Sequence, residues 1–153
     1  MTHAKAAALA REYLAVWNET GDPSAISRRF WHDDIEWIEP PDSPIGATFR
    51  GREAVEGLLR EWIDTMGPNH AVIEEIVVAG DEVMTRVRLD LHGTTSGLDL
   101  DAPLHFVSRL RGVRFDRIRV FLERDAALNA MGLEEDAAEA ASLPGEADRL
   151  GQA

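Results

Sequence analysis

The period of the hydrophobic pattern changes at Gly67-Pro68 from that of a helix to that of strands, and this change limits the possible folds. Before it, the apolar residues that follow Gly51 recur at spacings of three and four, which predicts a helix. These residues are Val55, Leu58, Leu59, Trp62, Ile63 and Met66. After it, apolar and polar residues alternate, which is the period of β-strands. The pattern predicts four strands, over residues 70–78, 83–92, 98–110 and 114–122.

The first third of the chain adds helices and one further strand. Residues 2–19 have an amphipathic pattern, and Asp22-Pro23 is a typical helix start, with Asp22 as the cap. A strand that ends at Glu39 follows, and residues 126–131 are predicted to form a short closing helix. This order is an α+β pattern. We expect one curved, mixed or antiparallel sheet, wrapped like a cone around the N-terminal helices and enclosing a largely apolar pocket.

Length and composition limit the number of domains and the classes of binding partner that this chain can have. The 153 residues suit one domain, which we place at residues 1–133, and residues 134–153 read as an acidic, flexible tail. A net charge of −12 repels nucleic acid and anionic membrane surfaces. The chain has no cysteine and no apolar run long enough to span a membrane. We therefore expect a cytoplasmic protein without disulfides or thiol chemistry.

The strand before Pro40-Pro41 carries the first candidate catalytic residue. Ile35, Trp37 and Glu39 share one face of this strand, and two of the three are large and apolar, so the face points into a core or a pocket. A carboxylate among apolar neighbours is expensive to ionise, which raises its pKa toward the range where a general base works near neutrality. The alternative is that the strand ends here and Glu39 turns into solvent.

Three segments carry a resemblance to a known family. They are residues 33–40 (Asp-Asp-Ile-Glu-Trp-Ile-Glu-Pro), residues 49–55 (Phe-Arg-Gly-Arg-Glu-Ala-Val) and residues 117–122 (Arg-Ile-Arg-Val-Phe-Leu). In this order, the segments resemble the SnoaL-like branch of the nuclear transport factor 2-like superfamily, over about residues 8–133. The resemblance implies an α+β cone, as in ketosteroid isomerase, polyketide cyclases and limonene epoxide hydrolase.

The resemblance to ketosteroid isomerase also implies roles for individual residues. Glu39 falls where that enzyme has its aspartate base, and Tyr13 falls where it has its oxyanion-hole tyrosine. The second oxyanion donor falls at Leu104, which cannot donate a hydrogen bond. This loss argues against steroid isomerisation, since one such donor stabilises a transition state by about 3 kcal/mol. The resemblance thus implies a cofactor-free isomerase, cyclase or hydrolase, and the alternative is a non-catalytic binding protein.

The expected ligand is a small apolar organic molecule, and no metal site is expected. The alternative for the tryptophans and for Tyr13 is ordinary core packing. His105 points to the outer face of the sheet if its neighbours point inward, and only a strand bulge would reverse this. The residues predicted to contact the ligand, besides Tyr13 and Glu39, are Trp17, Trp37, Trp62, Leu104, His105, Phe106 and Val120.

The outer face of the sheet is a candidate dimer surface. Charged residues on the last strands alternate with the apolar residues that should face the pocket. Rows of opposite charge around Val107 and Phe121 suit a two-fold contact, so we expect a homodimer through this face. The alternative is a solvated ladder of cross-strand pairs. The charged residues are Arg86, Arg88, Asp90, Arg117, Arg119 and Glu123.

Overall fold

A computed structural model describes residues 2–40, 47–67, 69–90 and 103–133. The predicted tail, residues 134–153, and the predicted strand residues 91–92 and 98–102 lie outside the described residues. The elements in chain order are α1 (His3–Thr20), α2 (Pro23–Phe30), β1 (Trp31–Ile38), β2 (Thr48–Arg50), α3 (Arg52–Met66), β3 (His70–Ala79), β4 (Glu82–Asp90), β5 (Leu104–Arg111), β6 (Arg114–Phe121) and α4 (Arg124–Ala130).

Capping residues set the ends of the first two helices. The Thr2 hydroxyl accepts a hydrogen bond from the Lys5 amide at the start of α1, and Gly21, with φ of 57°, ends that helix. Asp22 accepts from the Ser24 amide, and Pro23 occupies the first turn of α2. The predicted start at Asp22-Pro23 is therefore correct, and the short connection sets α2 against α1.

Within the described residues the strands form one six-stranded sheet, in the order β2-β1-β6-β5-β4-β3. β1 pairs with β6 in parallel, and every other pair is antiparallel, so the sheet is mixed. The first three helices cover one face of this curved sheet and share one hydrophobic core with it. The predicted α+β cone is confirmed. None of the described helices is long and apolar enough to cross a membrane.

Two local features differ from the prediction. The segment before Gly51 forms the short strand β2, which pairs with β1 through Trp37 and Phe49, whereas the sequence pattern gave it no strand. Three residues are too few to show an alternation, so the pattern could not reveal this strand. The closing helix begins at Arg124, two residues earlier than predicted.

The outer face of the sheet carries a second hydrophobic cluster, which α4 covers. Its members are Val77, Met84, Val107, Ala127 and Leu128. Val107 was predicted to lie at the exposed centre of this face, and this prediction is wrong because α4 buries the residue completely.

The charged rows of the outer face pair within the chain. Arg117 and Arg119 both contact the Glu82 carboxylate, at 3.4 and 2.8 Å. Arg86 and Arg88 both contact Glu74, at 3.3 and 3.2 Å. These pairs are the cross-strand ladder that was the alternative to a dimer contact.

Candidate functional site

A cavity lies between the helices and the inner face of the sheet. It holds about 690 Å³ of empty space, counting the part that is open to solvent. The lining residues are Ala10, Tyr13, Leu14, Trp17, Trp37, Leu59, Trp62, Asn69, Ala71, Thr85, Val87, Leu89, Phe106, Ser108, Phe115 and Ile118. None of these described lining residues is charged.

Aromatic side chains make up much of the cavity wall. The ring of Trp37 meets Trp62 edge to face, with centroids 6.1 Å apart, and meets Phe106 at 5.9 Å. The indole N–H of Trp17 donates to Asn69 Oδ1 at 3.0 Å, which fixes that ring against the start of β3. Aromatic rings therefore form a large part of the apolar surface that lines the cavity.

Tyr13 is one of the residues of the cavity wall. Its Oη accepts a hydrogen bond from the indole N–H of Trp31 at 3.1 Å, and its ring packs against Phe30 and Phe115. Burial raises the pKa of the Tyr13 hydroxyl, so the group keeps its proton over the physiological range. Among the described residues no acceptor takes that proton.

Glu39 is a buried carboxylate beside the aromatic wall. Glu39 is only 7% exposed, and its Oε2 accepts a hydrogen bond from the indole N–H of Trp37 at 2.6 Å. Burial raises the pKa of Glu39 above its usual value, and the Trp37 hydrogen bond lowers it in part. Within the described part of the chain, no basic side chain forms an ion pair with it. Glu39 is not among the lining residues, so its link to the cavity runs through Trp37.

The predicted ligand residues divide into three groups, of which the last is His105 alone. Trp17, Trp37, Trp62 and Phe106 line the cavity, as Tyr13 does. Leu104 packs against the main core and Val120 is buried within it, but neither is among the lining residues.

His105 lies on the opposite face of the sheet, so its prediction as a ligand residue is corrected. The pairing of β4 with β5 continues from Glu82 and Arg109 to Val87 and Leu104 without a shift, and no bulge turns His105 inward. Its Nδ1 lies 3.2 Å from the backbone oxygen of Phe121.

Three polar lining residues were missed by the sequence analysis: Asn69, Thr85 and Ser108. Thr85 is two residues from both Val83 and Val87, and Ser108 is two residues from Phe106. Residues two apart in a strand share a face, so the strand period already assigned both hydroxyls to the cavity face. The sequence analysis assigned ligand contacts only to large or ionisable residues, and therefore left out these two small hydroxyl residues. Among the described residues, no group of three or more metal-ligating side chains could hold a metal ion.

The raised pKa of Glu39 predicts a dependence of stability on pH. The folded state holds this proton more tightly than the unfolded state, so the contribution is complete below about pH 4.5 and is lost as pH rises through the folded-state pKa. Glu39→Gln still accepts from Trp37 but never ionises. We therefore expect Glu39→Gln to be more stable than wild type at pH 8, and this advantage to vanish toward pH 4.

Urea unfolding across this pH range, together with carboxyl-carbon NMR of Glu39, measures the effect. Glu36→Gln is a matched control, because it removes a carboxylate from the other face of β1 and breaks a surface pair with Arg50. The control should give no gain at high pH. A normal or lowered titration midpoint for Glu39 would contradict the prediction.

Comparison with known proteins places this fold and cavity in a family. The family model of the SnoaL-like domain matches residues 10–125. A protein with a ketosteroid isomerase-like fold from Catenulispora acidiphila, crystallised with trimethylamine, is similar with a TM-score of 0.61 and 22% identity, over 84% of this chain and 95% of that one. A SnoaL-like protein of unknown function from Burkholderia thailandensis gives a TM-score of 0.65 and 21% identity, over 79% and 97%.

Bal32a, from a soil-derived mobile gene cassette, gives a TM-score of 0.65 and 21% identity, over 77% of this chain and 88% of that one. At these identities the structural likenesses establish the fold alone, and no curated protein matches the sequence significantly. The family model, however, covers well over half of the 153 residues. The chain therefore belongs to the SnoaL-like domain family, within the nuclear transport factor 2-like superfamily.

Proposed function

We propose that this protein is a cofactor-free enzyme that moves a proton on a small, largely apolar organic molecule that contains a carbonyl group. The observation that carries the proposal is Tyr13, a residue of the uncharged aromatic cavity wall whose hydroxyl proton has no acceptor among the described residues. The buried carboxylate of Glu39, with its raised pKa, adjoins the same wall through Trp37. A hydrogen-bond donor and a base near one cavity are the parts that enolisation requires.

In the proposed step, the Glu39 carboxylate takes a proton from the carbon next to the carbonyl. The electron pair of that C–H bond forms the carbon–carbon double bond of an enolate, and the negative charge moves to the carbonyl oxygen. Tyr13 donates its hydrogen bond to this oxygen, where the charge develops. Glu39 then returns the proton to the same or a neighbouring carbon, so no cofactor is consumed. Isomerisation and aldol-type cyclisation both begin with this step.

Proton exchange tests the chemistry without knowledge of the natural substrate. In D₂O, wild type should catalyse incorporation of deuterium next to the carbonyl of 2-tetralone, as followed by proton NMR. Glu39→Gln should slow the exchange by at least about 100-fold, since a positioned general base contributes about 10²–10⁴. Tyr13→Phe should slow it by a similar factor while ligand binding is retained.

A non-catalytic binding protein is the second candidate, and one observation favours it. Glu39 is not a lining residue of the cavity, whereas Trp37, which donates a hydrogen bond to it, is. The structurally similar protein from Catenulispora acidiphila was crystallised with trimethylamine, which supports a ligand-binding role for this fold. Wild type that binds 2-tetralone but gives no exchange above the Glu39→Gln rate would establish this alternative and overturn the enzyme.

A homodimer through the outer face of the sheet is a further part of the proposal. The contact would use the part of this face that α4 leaves open, where Arg86 and Arg88 are only partly covered by Glu74. Light scattering should give twice the mass of one chain for wild type, and Arg88→Glu should weaken the association. Arg29→Glu, which breaks a pair between α1 and α2, is the matched control. A monomeric wild type would contradict this proposal.

A further inference from the structure

Two hydroxyl groups on the cavity wall have no partner within the described residues. They belong to Thr85 on β4 and Ser108 on β5, which are 7% and 9% exposed and line the cavity. Buried hydroxyls in proteins are nearly always hydrogen-bonded, because an unpaired one forfeits its interaction with water. A water molecule or a ligand in the cavity can therefore supply their hydrogen bonds.

The strand register brings these two hydroxyl groups onto the same part of the wall. Thr85 pairs with Phe106, and Val83 pairs with Ser108, so Thr85 and Ser108 are diagonal neighbours on adjacent strands. Side chains in this relation have Cα atoms about 7–8 Å apart on one face of a sheet. One small polar group between them is within reach of both hydroxyls.

The surroundings decide the charge of that polar group. No described lining residue is basic or acidic, and the neighbouring wall consists of Phe106, Val87 and Ile118. An anion such as a carboxylate or phosphate would lose its hydration here without gaining a counter-charge. An uncharged oxygen loses far less, and a hydroxyl donates to it as well as to water.

We propose that Thr85 and Ser108 form a polar contact point that selects ligands with a neutral oxygen function, a hydroxyl or a carbonyl, and rejects carboxylates. This inference rests on the proposed function only in that it requires the cavity to bind an organic ligand. It does not require Glu39 to act as a base. It assigns the selection of ligands to residues other than Tyr13 and Glu39.

Three related probes test the contact in the full chain: tetralin, 2-tetralone and tetralin-2-carboxylate. Trp17, Trp37 and Trp62 line the cavity, so tryptophan fluorescence reports binding directly. Thr85→Val and Ser108→Ala remove one hydroxyl each with little change of volume. We expect each variant to bind 2-tetralone about fivefold more weakly than wild type does. Each should bind tetralin as tightly as wild type or more tightly. Tetralin-2-carboxylate should bind all of the proteins more weakly than 2-tetralone does.

Tyr13→Phe and thermal unfolding provide the controls. If Tyr13→Phe removes the whole preference for 2-tetralone over tetralin, while the Thr85 and Ser108 variants keep it, the proposal is overturned. Both hydroxyl variants should keep the wild-type melting temperature, and a fall of many degrees would show that the hydroxyls serve the fold instead. Failure of tetralin to bind wild type would count against the cavity itself. If the Thr85 and Ser108 substitutions changed the affinities for tetralin and 2-tetralone by the same factor, this would count against the polar contact alone.

Discussion

Trp37→Ala should lower the free energy of unfolding by about 3–5 kcal/mol, the usual cost of truncating a buried large aromatic residue. Trp37 is 3% exposed, and its ring packs against Trp62 and Phe106 in the cavity wall. A cavity already lies beside this ring, so we expect the neighbouring side chains to relax little into the space that the indole leaves, and the loss of stability to be large. Loss of the indole N–H also removes the hydrogen bond that Glu39 receives.

Urea unfolding of wild type, Trp37→Ala and Trp37→Phe separates these two contributions. Trp37→Phe keeps an aromatic ring in the wall but cannot donate to Glu39, so it should be destabilised less than the alanine variant. It should also raise the pKa of Glu39 further, because the interaction that lowers it is gone. A loss below about 1 kcal/mol in Trp37→Ala would mean that the tryptophan is not packed as described.

The inner face of the sheet was predictable because its signals are local. Strand alternation placed Trp37 and Phe106 on the cavity side, and it placed His105 on the other side when no bulge was assumed. The same alternation placed Glu39 on the inner face of the strand that ends before Pro40. What it could not give is the hydrogen bond from Trp37 to Glu39, because that bond depends on side-chain rotamers at positions i and i+2.

The outer face was less predictable because its cover comes from elsewhere in the chain. Val107 shares one face of its strand with the polar residues His105 and Arg109, so the alternation predicts only that it points outward. Its burial depends on α4, which begins 17 residues later at Arg124 and turns back over the sheet. Pairings such as Arg119 with Glu82 also depend on the strand order, which the sequence pattern does not contain.

Leu128→Ala should lower the free energy of unfolding by about 2–5 kcal/mol, because this residue anchors α4 on the outer face. Leu128 is 1% exposed and packs in the cluster with Val107 and Met84. A helix of only seven residues is not stable by itself in water, so α4 depends on this packing. The ion pair between Arg124 and Glu75, with oxygen–nitrogen distances of 2.8 and 2.7 Å, holds only the start of the helix.

Leu122→Ala is the matched control for Leu128→Ala, since it makes the same substitution at a residue that is 49% exposed and lies two residues before the start of α4. It should change the free energy of unfolding by less than about 0.5 kcal/mol. Urea unfolding gives both values, and hydrogen exchange of the α4 amides should accelerate only in Leu128→Ala. Equal, small effects in the two variants would mean that α4 leaves the sheet in solution. Val107 would then be exposed, and the apolar centre that was first predicted for a dimer contact would be available to a second copy of the chain.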